Sequence, residues 1–371
     1  MKANALETAF PALRNTLHRV ELADLPTPLE PAEKLAAELG LDNLRIKRDD
    51  QTGLLYGGNK VRKLEYLFGE ALHRECDSVI TFGAVGSNHA LATAIYATRL
   101  GLNCHVVMTE QAGTPYVDRT LRYHAVLGTR LELAQGFAQL LEIADRIAAG
   151  HPTGADRLYR IPFGGSSPLG TVGFVNAALE LSTQCDDKGD DKGNDKGGDK
   201  APDVIYVASG TMGTVAGLAL GLRLAGLKTR VEAVRVVPES VMMLSGIEKL
   251  FMEANRELQS IDQSIPIFAD PLINVAVRDE FFGAGYAEAT PECLEAVALI
   301  HDTESVTLET TYTGKALAAL IHDARSGKLS GQSVVFWNTY NARPYPPAVN
   351  DETGSSLPDW AQRYLSHHDH H

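Results

Sequence analysis

Lys60 and Lys63 stand three residues apart in the run Gly57-Gly58-Asn59-Lys60-Val61-Arg62-Lys63-Leu64-Glu65. On a helix that spacing puts both ammonium groups on one face. Crowding by a like charge, at the positive end of a helix, disfavours the charged form of a lysine. A free lysine titrates near ~10.4, and lowering that value makes it a nucleophile toward carbonyl compounds. The two glycines before it permit close backbone approach. The same residues also read as a glycine turn followed by a solvated basic helix, and the segment alone leaves both readings open.

Three other segments carry hydroxyls, amides or free backbone N–H groups at the start of a helix. In Gly83-Ala84-Val85-Gly86-Ser87-Asn88-His89, Ser87 or Asn88 is a good N-cap. The amides there can bind a carboxylate or phosphate, and His89 could donate to the same anion. Ser209-Gly210-Thr211-Met212-Gly213-Thr214 lies between an apolar strand and an apolar helix, the setting of a phosphate cradle. No Gly-Lys-Ser/Thr follows, and the glycines at 210, 213 and 217 do not fit a dinucleotide fingerprint. Glu239 keeps a nucleotide reading weakly open. Later come Gly285-Tyr286, Glu309-Thr310-Thr311-Tyr312-Thr313-Gly314-Lys315 and Asn338-Thr339-Tyr340-Asn341. Each puts hydroxyls where an α/β sheet opens its crevice, and each also reads as a capped turn.

These segments need a scaffold, and the hydropathy pattern supplies one. Strands are expected at Leu44–Lys47, Ser78–Phe82, Cys104–Met108, up to Leu133, Val204–Ala208, Val231–Val237 and Ser333–Trp337. Helices are expected at Val61–His73, Ala90–Leu100, around Thr120–Leu127, Phe137–Ala149, Asn176–Leu181, Val215–Ala225 and Ala316–Arg325. This alternation indicates an α/β fold with parallel-type sheets covered by helices on both faces. Asp186–Lys200, with Asp-Lys-Gly recurring every four residues, has no apolar residue and reads as a disordered insert. The histidine-rich end, Ser-His-His-Asp-His-His, reads as a frayed tail that could also capture metal.

The chain has 371 residues, with 47 acids against 34 bases and a net charge of −13. That balance argues against nucleic acid and against a polybasic membrane contact. No run approaches the ~18 apolar residues that span a bilayer, and the first residues lack the apolar core of a secretory signal. The four cysteines are far apart without any Cys-x-x-Cys. They suit reduced thiols in the cytoplasm better than a disulfide framework or a zinc site, and no metal is expected.

Taken together, the motifs resemble the fold-type II pyridoxal-phosphate enzymes, a two-lobed tryptophan synthase β-like fold. More narrowly they resemble the family of D-cysteine desulfhydrase and 1-aminocyclopropane-1-carboxylate deaminase. The resemblance runs through Pro26-Thr27-Pro28-Leu29-Glu30, Ile46-Lys47-Arg48-Asp49-Asp50, the Gly57–Glu65 run and Gly86-Ser87-Asn88-His89. It continues through Gly164-Gly165-Ser166-Ser167, Ala208-Ser209-Gly210-Thr211 and Tyr312-Thr313-Gly314-Lys315. It implies a discontinuous large cofactor domain, 1–60 and 171–371, around a small α/β domain, 61–170.

The resemblance also implies roles. Lys60 would carry pyridoxal 5′-phosphate covalently and move the substrate α-proton. Lys63 and the loop Gly210, Thr211, Met212, Gly213, Thr214 would hold the phosphate. Asn88 would meet the ring 3′-oxygen, and Thr339 the ring nitrogen. Ser87 and the amides of Asn88 and His89 would bind the substrate carboxylate, with Ser87 a proton-transfer candidate. Tyr286 and Tyr312 would flank the substrate. In the family, Glu in the position of Thr313 goes with the cyclopropane deaminase and Thr with the desulfhydrase. Thr313 therefore points to β-elimination, D-cysteine to pyruvate, hydrogen sulfide and ammonia, by a cytoplasmic homodimer. The alternatives are the cyclopropane deaminase and a non-catalytic cofactor-binding or regulatory protein. Departures lie beside the substrate: Gly86 where Gln is common, Ala90-Leu91-Ala92 where polar residues are, and Asn338-Thr339-Tyr340-Asn341 for His-Thr-Gly-Gly.

Overall fold

A computed structural model describes residues 2–186, 200–350 and 353–365. The strands are β1 (Leu29–Pro31), β2 (Asn43–Lys47), β3 (Ser78–Ala84), β4 (Asn103–Thr109) and β5 (Arg130–Ala134). They continue with β6 (Leu158–Arg160), β7 (Val204–Ser209), β8 (Arg230–Arg235), β9 (Val275–Arg278) and β10 (Ser333–Trp337). Most of the Asp-Lys-Gly insert and the histidine-rich end lie outside the described residues.

The chain divides into two compact units. The first comprises Met1–Tyr66 and Ser166–Ala342. Its sheet, six-stranded among the described residues, has the order β1-β2-β10-β7-β8-β9. Every pairing in it is parallel except β1 with β2, which is antiparallel. Its central strands bury every residue: Val204–Ser209 and Ser333–Trp337 are continuous apolar runs because helices cover both faces. The helices Pro168–Asp186 and Gly213–Leu224 pack so closely that a Cβ at Gly217 would lie 2.5 Å from Phe174 Cβ.

The second unit begins at Leu67 and runs to Gly165, and the segment starting at Arg343 belongs to it. Its all-parallel sheet has the order β5-β4-β3-β6. The expectation of a large domain running on to the C-terminus therefore needs correcting at Arg343. Beyond that point the Tyr345 ring packs tilted against Tyr123, 5.2 Å between centroids, its hydroxyl meets that of Thr120, and Arg363 pairs with Glu110. Those contacts tie the segment to the helix Pro115–Val126 and its approach.

The strands that sequence reading misses are β1, β6 and β9. All three sit at sheet edges and are only three or four residues long, too short for their pattern to stand out. β1 ends on Pro31, which an edge tolerates and a central ladder does not.

Candidate active site

In parallel sheets all strands end on one side, so the loops leaving those ends share an edge. In the first unit, the loop after β7 and the residues after β10 leave such an edge. The Gly57–Lys60 turn is fastened to them. The Gly58 N–H donates to the Asp49 carbonyl at 2.7 Å, and the Asn59 N–H to the Thr339 carbonyl at 3.2 Å. Asn341 accepts from the Gly57 N–H at 2.6 Å. Gly58 has φ 91°, and a Cβ there would lie 2.9 Å from the Thr339 carbonyl. Only glycine suits both conditions. This turn sets where the helix Lys60–His73 begins.

That helix starts with two lysines and no acid in its first turn. Lys60 Nζ donates to Asn59 Oδ1 at 3.0 Å, and Asn59 Nδ2 donates to Thr214 Oγ1 at 3.1 Å. Desolvation lowers the Lys60 amine to about 8, against the opposing pull of the Glu309 carboxylate. Part of its side chain stays open to solvent. Lys63 is 1% exposed and donates to Ser166 Oγ at 3.1 Å. Burial, with the Lys60 charge second, pushes it well below the ordinary lysine value.

Ser166 is a hub. Its oxygen lies 2.8 Å from Thr211 Oγ1 and accepts from the Gly213 N–H at 3.3 Å. A Cβ on Gly213 would sit 2.7 Å from Ser166 Oγ and 2.9 Å from Lys63 Nζ. Glycine at 213 therefore keeps open a space bordered by a lysine, two hydroxyls and the N-terminus of the helix Gly213–Leu224. Gly210 passes within 3.8 Å of the Tyr312 ring when a Cβ is built on it.

Tyr312 and Tyr286 hydroxyls are 2.5 Å apart, with rings T-shaped at 6.2 Å between centroids. Burial raises both phenols, that of Tyr312 well above its usual value. Below them Glu309 holds the chain. Its carboxylate accepts from the N–H groups of Thr311, Tyr312 and Thr313 at 2.7, 2.9 and 2.7 Å. Thr313 is fully buried and donates its hydroxyl to Glu309 Oε1 at 3.0 Å. Thr339 contributes its carbonyl to the Gly57–Asn59 turn, and its side chain is half-buried.

The second unit presents its own turn after β3. Ser87 is the N-cap of the helix Asn88–Arg99 and accepts from the Ala90 N–H at 3.2 Å. A Cβ on Gly83 would meet Ser87 Oγ at 2.4 Å, so the glycine makes room for the cap. The amides of Asn88 and His89 belong to the first helical turn, which has no intrahelical acceptor for them. Asn88 Oδ1 accepts from the Tyr116 hydroxyl. The His89 ring is turned inward, 3% exposed, with Nε2 2.9 Å from Thr81 Oγ1. The sequence expectation that His89 donates to an anion through its ring is thus corrected: only its backbone amide is placed at the turn. Ala90, Leu91 and Ala92 are all fully buried, so the helix spends those positions on packing.

Ser166, Asn59, Glu309 and Tyr116 went unassigned in the sequence reading. Glu309 had a signal only as an acid just ahead of a helix N-terminus. Ser166 had only a Gly-Gly-Ser-Ser turn before an apolar helix, and Tyr116 had none.

The donor set in the first unit fits pyridoxal phosphate. Lys63, the Ser166 and Thr211 hydroxyls and the Gly213 amide form a site for a phosphate, in a space that a Cβ would fill. Lys60, a turn away with a depressed pKa, fits an aldehyde. The model of the pyridoxal-phosphate dependent enzyme family matches residues 20–339. The chain belongs to that family, and its fold is that of the fold-type II members. A D-cysteine desulfhydrase of Klebsiella pneumoniae is 36% identical over 314 residues, covering 82% of this chain and 87% of the relative. A Pyrococcus horikoshii protein, provisionally named 1-aminocyclopropane-1-carboxylate deaminase, is 35% identical over 334 residues, 88% of this chain and 93% of the relative. The solved structure of an ACC deaminase homologue superposes with a TM-score of 0.75 at 32% identity, covering 92% of this chain and 95% of that one.

Proposed function

We propose that this protein is a pyridoxal-phosphate dependent lyase that removes the β-substituent of a small amino acid, with D-cysteine as its substrate. The products are pyruvate, hydrogen sulfide and ammonia, with one water consumed. The observation that carries the chemistry is the lysine pair: a nucleophilic amine at Lys60 beside a phosphate-ready cradle at Lys63, Ser166, Thr211 and Gly213. Thr313, rather than Glu, supports the desulfhydrase over the deaminase.

The bound cofactor supplies an electron sink that makes the substrate α-carbon acidic. This chain does the rest. Lys60 engages the carbonyl and, as a free amine, takes the α-proton, which its low pKa makes available near neutrality. Ser87, with the amides of Asn88 and His89, would take the substrate carboxylate, and Ser87 would be a proton-transfer candidate. Asn88 would meet the ring 3′-oxygen. The Tyr286 and Tyr312 hydroxyls, hydrogen-bonded at 2.5 Å and both held protonated, would offer a proton toward the departing thiolate. Thr339 would face the ring nitrogen with a hydroxyl in place of a carboxylate, which would favour a good leaving group departing as the α-proton is lost. The enzyme is proposed to be a homodimer in a reducing cytoplasm. Its four cysteines are buried free thiols, which suits that compartment. Among the described residues no helix is long and apolar enough to cross a membrane.

The test is a substrate panel on purified protein: D- and L-cysteine, serine, β-chloroalanine and the cyclopropane acid, with keto-acid products identified. Pyruvate from D-cysteine supports the reading. The second reading, favoured by the Pyrococcus relative and the solved homologue, gives 2-oxobutyrate from the cyclopropane acid; that product without pyruvate overturns the first. A visible band with no turnover on any of them leaves a non-catalytic cofactor-binding protein. Borohydride should abolish the band in the natural protein, and a reducible band surviving in Lys60→Ala would refute the role of Lys60.

A further inference from the structure

Met212 is a non-glycine residue with φ 68°, in the left-handed region. L side chains adopt that region at a conformational cost, and such outliers persist where the surroundings over-determine them. It occupies the N-cap of the helix Gly213–Leu224 and makes no side-chain cap hydrogen bond. Its two neighbours do the opposite of what it does. Thr211 Oγ1 and the Gly213 N–H both reach Ser166 Oγ, at 2.8 and 3.3 Å. The Gly213 N–H also approaches the Thr211 carbonyl at 2.8 Å, so the chain folds tightly at 212. The Met212 side chain points elsewhere: a Cβ built on Gly246 would lie 2.5 Å from its Sδ and 2.8 Å from its Cε. Gly246 is in the first turn of the helix Leu244–Ile261, and its missing side chain is the seat of the thioether.

We propose that Met212 is a positioning residue, a peg whose left-handed backbone, held by its thioether against Gly246, aims Thr211 and Gly213 at the phosphate. The inference rests on the assignment of Lys63, Ser166, Thr211 and Gly213 to the phosphate. In it Met212 is not itself a ligand, which revises the expectation that all five loop residues contact the group. The geometry explains the residue type. Only a turn at 212 lets residues 211 and 213 converge on one oxygen. A long, flexible, unbranched side chain can then reach a notch that glycine leaves in the neighbouring helix. The peg thereby links the Leu244–Ile261 helix to the loop.

Full-length protein freed of cofactor is titrated with pyridoxal phosphate and, in parallel, with pyridoxal, which lacks the phosphate. Visible absorbance is the readout. Gly246→Ala pushes a methyl into the seat, and it should weaken pyridoxal phosphate about tenfold while pyridoxal changes less than about twofold, a coupling of ordinary size for contacting residues. Met212→Gly/Gly246→Ala removes both clash and peg and should bind pyridoxal phosphate as Met212→Gly does. Met212→Ala, which adds no clash, should bind it several-fold less tightly than the natural protein. The peg is overturned if Gly246→Ala leaves pyridoxal phosphate affinity unchanged or weakens both ligands equally. It is also overturned if the double variant is no better than Gly246→Ala, or if Met212→Ala equals the natural protein. Natural protein that binds the two ligands equally well refutes the phosphate cradle itself, a result distinct from these.

Discussion

Arg62 and Lys63 are adjacent on one helix and each is 1% exposed, yet they live in opposite electrostatic settings. Arg62 donates to both oxygens of Asp49 at 2.7 and 2.9 Å and both of Glu180 at 2.9 and 3.0 Å. Thr27 accepts a further bond, Lys47 donates to Glu180 at 2.6 Å, and Trp337 Nε1 donates to Asp49 at 2.8 Å. Two cations face two anions: Arg62 is raised despite its desolvation and Glu180 falls to about 2, whereas Lys47 is lowered, by burial and the Arg62 charge against the pull of Glu180. Lys63 has a hydroxyl partner and a second lysine for company, and its charge is disfavoured. The difference teaches how to sort buried charge. A cluster whose charges cancel internally is architecture, fixing the helix that carries the site. A buried lysine whose charge is disfavoured, set among hydroxyls and a helix N-terminus, is a candidate binding group.

That contrast can be broken experimentally. Arg62→Met strands Asp49 and Glu180 and should cost about 3–5 kcal/mol of folding stability, read from denaturant unfolding of cofactor-free protein. Lys63→Met removes a cation whose charge the fold opposes. It should leave cofactor-free stability unchanged or raised, while weakening pyridoxal phosphate by about 1.5–3 kcal/mol, measured by absorbance titration. Equal unfolding penalties for the two variants would erase the distinction.

The pH dependence sharpens it further. Lys60 titrates near 8 in the folded protein, lowered from 10.5. Between those values the unfolded chain holds a proton on Lys60 that the folded chain has released, so stability rises with pH across the window. Below 8 both states are protonated and the penalty on the fold is complete. Unfolding curves of cofactor-free protein from pH 7 to 10.5 should show this rise, and Lys60→Met should remove that part of it. The smallest effect is expected from Tyr286→Phe. It deletes one partner of the phenol pair and should lower stability by about 1 kcal/mol, with the larger change in turnover. An unchanged turnover rate would take the pair out of the reaction.

Central elements were the legible part of the fold. Ser333–Trp337 and Phe137–Ala149 stand at the expected bounds, and the other expected strands hold within a few residues. Continuous apolar runs and strong amphipathic periods announce burial on two faces or one. The edge strands β1, β6 and β9 and the helix Leu244–Ile261 were not legible. At an edge, half the pairing and much of the burial that shape composition are absent. The same contrast divides the site. Lys60, Lys63 and the Gly210–Thr214 loop are local motifs whose neighbours in sequence are their neighbours in space. Ser166 reaches Lys63 across 103 positions, and Asn341 reaches Gly57 across 284; no local pattern announces such pairs.

From its sequence alone the protein's family, its α/β layering and the candidate lysine pair follow. They rest on residue types at short spacing: glycines before a lysine pair, and hydroxyl turns between strand and helix. Tertiary structure decided what each of those residues faces. It turned His89 to Thr81, set Met212 against Gly246, gave Glu309 the amides under Tyr312, and neutralised Arg62 while leaving Lys63 among hydroxyls. The reason is physical: helix and strand preferences act within a few residues, whereas burial and charge pairing depend on whatever the fold brings into contact.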